Sequence, residues 1–334
     1  MYVDRLNNYK KLEELRGSKL LVYVTGDRPG LETQIHTEIL DYFGDHLDTF
    51  NLPNKISLYL YSRGGDTLAG WSIVNLIRHF CDDFEVIVPS KAQSTATLIS
   101  ISANKIVMTK QATLGPIDPS VNSPLNPQIP GAPPNARLPI SVEAVAGYFE
   151  LAKQELKIKS EQELAAIFLK LSDQVHSLAL GNVYRARTQI QRLAEKLLKF
   201  HMSDENKIKK IISVLCSESG SHDYTINRRE AQNELFLPVD KPNDELYELI
   251  KNVHVDIRKE LELNSRYDPN VILGNQPTKN YSFTRALLES ISGGSHKYKT
   301  EGVFSKAKIQ TQVGPVDGIN DQRNFEGWIY EEPK

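Results

Sequence analysis

Between residues 58 and 119 short apolar runs alternate with helix-like runs, and few folds accept that order. Residues 58–61 read as a strand. Gly64 and Gly65 then break it, because glycine permits backbone angles and close approaches that a side chain forbids. Residues 67–80 read as a helix, with Leu68, Trp71, Val74, Ile77 and Phe80 at three- and four-residue spacing. Residues 86–88 form the next strand, ended by Pro89, and 94–103 a short helix of small and branched residues. A third strand at 106–108 closes the pattern. Strand, helix, strand, helix, strand at this spacing predicts parallel strands with right-handed crossovers, an α/β class.

Two junctions in this stretch carry chemistry. Ser94 stands where a polar turn enters a helix, and a helix start exposes unpaired N–H groups and a positive dipole end. A serine oxygen there could attack a carbonyl beside the amide of Thr95, while Gly64 and Gly65 offer further N–H groups with no side chain in the way. Donors from two segments aimed at one developing oxyanion are what acyl transfer needs. The plainer alternative is that Ser94 only caps its helix and the glycines only turn the chain.

The ordered set of motifs resembles the serine dehydrogenase proteinase family, within the larger group of Clp-type proteolytic subunits and signal peptide peptidase A. The matching pieces are Ser62-Arg63-Gly64-Gly65-Asp66, Val86-Ile87-Val88-Pro89, Ala92-Gln93-Ser94-Thr95-Ala96 and Leu114-Gly115-Pro116-Ile117-Asp118-Pro119. A further match is Ser221-His222-Asp223-Tyr224-Thr225-Ile226, and the likeness spans roughly residues 20–239. The resemblance implies a Clp/crotonase-type repeated ββα superhelix with helical additions and a C-terminal extension. It also implies peptide-bond hydrolysis through a Ser94 acyl-enzyme, with Gly64, Gly65 and Thr95 at the oxyanion hole. Two positions depart from the pattern: Arg63 stands where relatives often carry proline, and Thr95-Ala96 follow the serine where relatives usually carry glycine.

A serine nucleophile needs a proton acceptor, and the sequence offers several. The resemblance favours His222, with Asp223 either orienting it or acting as the acid of a comparable turn. A Ser–Lys dyad is the second option, with Lys153 or Lys157 on the downstream helical segment. Arg185 and Arg187 cannot serve, since arginine stays protonated; His176 is an outsider. Asp118 is expected beside the site, bracing its turn.

Composition narrows the partners. A chain of 334 residues exceeds the roughly 250–300 at which single cores stop growing, so one main domain with additions is expected. The division expected is a protease-like domain at 1–240 and an extension at 241–334. Net charge is −2, which gives no broad attraction to nucleic acid. Two cysteines, Cys81 and Cys216, suit a reduced compartment, and neither has the paired spacing of a zinc site. No apolar run approaches the ~20 residues of a membrane span, which suggests the cytosol. The resemblance implies no metal or organic cofactor, homo-oligomeric assembly, unfolded protein or peptide as substrate, and a separate ATPase or regulatory protein for any unfolding. A non-catalytic scaffold and, less favoured, an acyl-CoA enzyme are the other classes this pattern admits.

Elsewhere, residues 4–16, 33–43, most of 141–200, 203–216 and 243–263 read as helical, and 19–24 as a strand. Residues 122–139 are proline-rich and exclude regular helix or central strand. Val183, Ala186, Ile190, Leu193 and Leu197 form an apolar stripe suited to core or subunit contact. Residues 282–292 read as a helix ended by Gly293-Gly294, and 296–312 as a possible hairpin.

Overall fold

The computed structural model describes residues 1–117, 119–133, 135–218, 221, 223–311 and 314–331. In chain order the first half holds α1 (Tyr2–Arg16), β1 (Lys19–Thr25), α2 (Ile39–Asp48), β2 (Lys55–Tyr61), α3 (Thr67–Phe80), β3 (Asp83–Val88), β4 (Lys91–Ala92), α4 (Thr95–Ser100), β5 (Lys105–Met108) and β6 (Thr113–Leu114). There follow β7 (Ser120–Val121), β8 (Ile140–Ser141), α5 (Val142–Glu150), α6 (Glu161–Gln174), α7 (Ser177–Leu198), α8 (Glu205–Ser213), β9 (Ile226–Asn227), α9 (Arg228–Asn233) and β10 (Val239–Asp240). The chain ends with α10 (Asp244–Glu260), α11 (Pro269–Leu273), β11 (Thr278–Ser290), β12 (Gly294–Thr311) and β13 (Gly314–Glu331).

One large sheet runs in the order β10-β5-β3-β2-β1-β11-β12-β13. Its first half is parallel, and β11, β12 and β13 join antiparallel. Register explains why both faces are apolar. Leu21, Leu58, Val86 and Ile106 form one cross-strand row, and Val22, Tyr59, Ile87 and Val107 the next. The first row packs against α2, α3, α4, α7 and α8; the second packs against α1 and α10. Parallel strands buried on both faces read as continuous apolar runs, which is why this half was legible in sequence.

Short second-layer pairings give the β–β–α repeat. After β1 comes the Ile35–Gly65 bridge and α2; after β2, the Ser62–Ala92 bridge and α3; after β3, β4 and α4. The expected α/β superhelix is therefore present. The apolar stripe of α7 packs inside the chain, with Val183 in a small cluster beside β7 and β8 and Ile190 and Leu197 in the main core. The proline-rich segment is a compact loop tied by buried Asn126, whose Nδ2 donates to the Val121 and Leu138 carbonyls at 2.7 and 3.0 Å.

Three expectations are corrected. Residues 33–38 are not helical; α2 begins at Ile39, because Ile35 is held in its bridge to Gly65. Residues 282–290 belong to β11, and Gly293-Gly294 lies at the β11–β12 turn rather than ending a helix. Residues 294–311 are the single strand β12 rather than a hairpin of their own, and residues 314–331 form β13 paired along it.

Buried imidazoles couple this fold to pH. On α2, His46 Nδ1 lies 2.7 Å from Ser290 Oγ, and its Nε2 3.0 Å from His296 Nδ1. Burial, with His296 beside it, pushes His46 from 6.5 down to about 3; burial, with Arg258 and Lys91 near, pushes His254 down to about 4. Each is neutral when folded and takes a proton below 6.5 when unfolded, so stability falls as pH falls. Below that point the loss should approach about 1.4 kcal/mol per pH unit for each imidazole. Urea midpoints near pH 7 and pH 5 measure it, and equal midpoints would contradict the neutral burial.

Candidate active site

The parallel strands deliver their carboxyl ends to one edge of the sheet, and Ser94 sits there, at the entrance to α4. Its backbone takes φ 52° and ψ −118°, a conformation that side-chain-bearing residues rarely adopt. The side chain is half-buried and makes no cap hydrogen bond to α4. The plain capping role is thus not what this serine does.

Gly64 is packed directly on it. A Cβ built on Gly64 would stand 2.7 Å from Ser94 Cβ and 3.1 Å from Ser94 Oγ. Gly64 has φ +108°, and its N–H donates to Ser62 Oγ at 2.9 Å. Gly65 is pinned from the other side, where a Cβ would meet the Ile35 carbonyl oxygen at 2.2 Å. Ile35 N–H donates to the Gly64 carbonyl and Asp66 N–H to the Ile35 carbonyl, so the main chain on either side of Gly65 is committed. Gly65's own carbonyl faces α4 and accepts from Thr95 Oγ1 at 2.7 Å. A strand residue presents its N–H and C=O on the same side, so the Gly65 N–H faces α4 as well. Among the described residues neither this N–H nor that of Thr95 has an acceptor. Asp66 then caps α3 by accepting from Leu68 and Ala69 N–H.

Three hydroxyls that sequence reading passed over hold this geometry. Ser62, fully buried, accepts from Thr25 Oγ1 at 2.7 Å and from Gly64 N–H. Thr97 donates to the Ala92 carbonyl and accepts from Gly115 N–H, tying α4 to the turn after β6. Small hydroxyls inside apolar runs were the available signal.

The other expected site residues are dispersed. Arg63 is exposed beside Gly64. Asp223 is exposed, three residues before β9, which pairs with β6; β6 in turn pairs with β4, just upstream of Ser94. Lys153 is exposed on a π-helical turn that continues α5. His176 caps α7, its Nδ1 accepting from Leu178 N–H. Asp118 and His222 lie outside the described residues.

Three residues before Ser94, Lys91 of β4 belongs to a polar group with Asp27, after β1, and Tyr61, at the end of β2. Lys91 Nζ and Tyr61 Oη each reach Asp27 at 2.7 Å. Burial would raise the Asp27 carboxyl, but hydrogen bonds from Lys91 and Tyr61 outweigh it and hold it below its usual range. Among the described residues no group of three or more His, Cys, Asp or Glu side chains could hold a metal ion.

With this arrangement in view, the family model of ClpP-like SDH-type serine proteinases aligns with the chain from just before strand β2 into the first half of the proline-rich loop. Residues 51–131 match that family. That matched segment contains Gly64, Gly65, Ser94 and Thr95 together. Similar sequences include two uncharacterized proteins of Methanocaldococcus jannaschii. One is 31% identical over 206 residues, covering 61% of this chain and 60% of that protein; the other is 29% identical over 172 residues, covering 51% and 47%. The chain therefore spans less than two thirds of the length of either relative. Among solved structures, a membrane-bound stomatin-specific protease is similar at 14% identity and TM-score 0.39, over 75% of this chain and 92% of that one. ClpP1 from Listeria monocytogenes is similar at 14% identity and TM-score 0.37, over 71% and 98%. Among the described residues no helix is long and apolar enough to cross a membrane.

Proposed function

We propose that this chain is a serine peptidase that cleaves peptide bonds through an acyl-enzyme on Ser94. The observation that carries the reading is an uncapped hydroxyl at a positive-φ helix entrance, with Gly64 against it and the Gly65 and Thr95 N–H groups unspent. Ser94 Oγ attacks the carbonyl carbon while those two N–H groups hold the oxyanion. The amine leaves with a proton, and water releases the acyl group. His222 oriented by Asp223 is the proposed proton acceptor, with Lys153 as the alternative. Arg63 at the rim would meet the substrate beside the glycine pair, and Asp118 would brace the neighbouring turn. The reading includes unfolded or peptide substrates, a cytosolic setting and a separate ATPase or regulatory partner.

A fluorophosphonate probe on the full chain tests the proposal. A single adduct mass on Ser94, absent from Ser94→Ala, is the expected result. Labelling elsewhere, or none, would sink the reading and favour a non-catalytic scaffold.

Gly64 provides a second check. Gly64→Ala forces a Cβ against Ser94 Cβ and the Gln93 carbonyl oxygen at 2.9 Å, at a φ that alanine resists. The strain is expected to cost about 1–3 kcal/mol. A shift of about 1 Å in the nucleophile should slow labelling about a hundredfold. Wild-type labelling rates in this variant would show that Gly64 does not hold the serine.

A further inference from the structure

On the Ser94 side of the sheet, the outer sides of α2 and α7 each carry a row of exposed charge, one acidic and one basic. On α2, Asp41, Asp45 and Asp48 are exposed at i, i+4 and i+7, so they share one stripe. Asp48 ends that helix, where the dipole disfavours a carboxylate. On α7 the apolar stripe is turned inward, which leaves Arg185, Arg192 and Lys196 exposed at i, i+7 and i+11. Among the described residues none of these six side chains has an ion-pair partner, although Arg187 and Lys199 on the same helix do. Between the two stripes lies the outer side of α3, where Trp71, Ser72 and Asn75 are half-buried and uncharged.

The stripes belong to one surface. The aspartates and Trp71 line a cleft between α2 and α3, and the cations line a cleft on α7 together with Glu195, whose carboxylate is paired with Lys199. Lys196 joins them, its Nζ lying 5.6 Å from the centre of the Trp71 ring. Like charges left in rows repel one another, and among the described residues the only ion-pair or cation–π contact made by either row is that of Lys196 with the Trp71 ring. Each is the complement of the other, and they flank a neutral aromatic strip. A half-turn about an axis through that strip carries the acidic stripe of one copy onto the basic stripe of another, twice over. A neutral centre with a charged rim is also the usual anatomy of a protein interface.

We infer that the α2–α3–α7 face is a two-fold contact between copies of this chain, paired through Asp41/Asp45/Asp48 and Arg185/Arg192/Lys196. This gives the expected self-assembly a definite surface. It stands apart from the peptidase reading, since association is measured without activity. A nucleic acid would suit the α7 stripe alone and be repelled by α2, so a second copy is the better occupant.

Sedimentation of the full chain tests the contact. At low ionic strength, about 50 mM salt, wild type is expected to associate, and to weaken as salt approaches about 500 mM and the charges are screened. D41K/D45K makes both stripes basic, and R185E/R192E makes both acidic. Each variant alone is expected to associate at least about tenfold more weakly. An equimolar mixture should restore the wild-type mass, since each variant then meets its complement. All four positions are exposed, and unchanged circular dichroism confirms folding. A monomeric wild type at low salt, variants that associate like wild type, or a mixture that stays dissociated would each overturn the inference.

Discussion

Ser94→Ala is expected to lower hydrolysis of any accepted peptide or ester by about 10⁶-fold, the scale seen when a serine nucleophile is removed and only oxyanion binding is left. The fold should survive, because the hydroxyl makes no hydrogen bond that holds α4. Ser94→Gly sharpens the test. At φ 52° and ψ −118° the serine carries strain that glycine does not feel. Its relief is worth about 1–3 kcal/mol, against about 0.4–1 kcal/mol of added freedom in the unfolded chain. Ser94→Gly should therefore be both inactive and more stable than wild type. A serine kept only for structure would show the opposite, a loss of stability with no chemical consequence. Full activity in Ser94→Ala would place the chemistry elsewhere in the chain.

The strained serine also shows what a sequence can disclose. Gly64, Gly65 and Ser94 were legible as motifs because each turn needs residues that few alternatives replace. The packing of Gly64 on Ser94 Cβ was not legible, since it depends on β2 and β3 lying in one parallel register. Strands of two residues, such as β4, β6 and β9, are too short for any periodicity to reveal. In β11 the signal was actively misleading. Tyr281 and Phe283 alternate as a strand should, but a register shift between Thr284 and Ala286 breaks the alternation. Beyond it, Leu287 and Leu288 point into opposite cores, so the run looked helical. Charge gave no help there either, because Glu289 is an acid in a fully buried position.

That buried acid sets the second large effect. Glu289 on β11 accepts from Arg5 Nη2 at 2.6 Å and Nε at 3.1 Å, and from Tyr9 and Ser295 hydroxyls. Arg5 is itself fully buried, and its Nη1 reaches Glu260 at 2.6 Å and also Asp256. One guanidinium thus joins α1, α10 and β11 on the sheet face opposite the serine. Arg5→Ala would strand the Glu289 charge with no other cation among the described residues paired to it, since Lys297 is committed to Glu260 and Glu331. Breaking such a pair costs about 3–5 kcal/mol, a large share of the roughly 5–15 kcal/mol that keeps a domain folded. The urea midpoint should fall accordingly, while Ser94 labelling of the molecules still folded stays at the wild-type rate. Arg5→Met with Glu289→Leu removes both charges and should recover part of the loss, because the penalty lies in the orphaned carboxylate rather than in the missing attraction. A single Arg5→Ala variant as stable as wild type would mean that water reaches Glu289, contrary to its complete burial beneath α1.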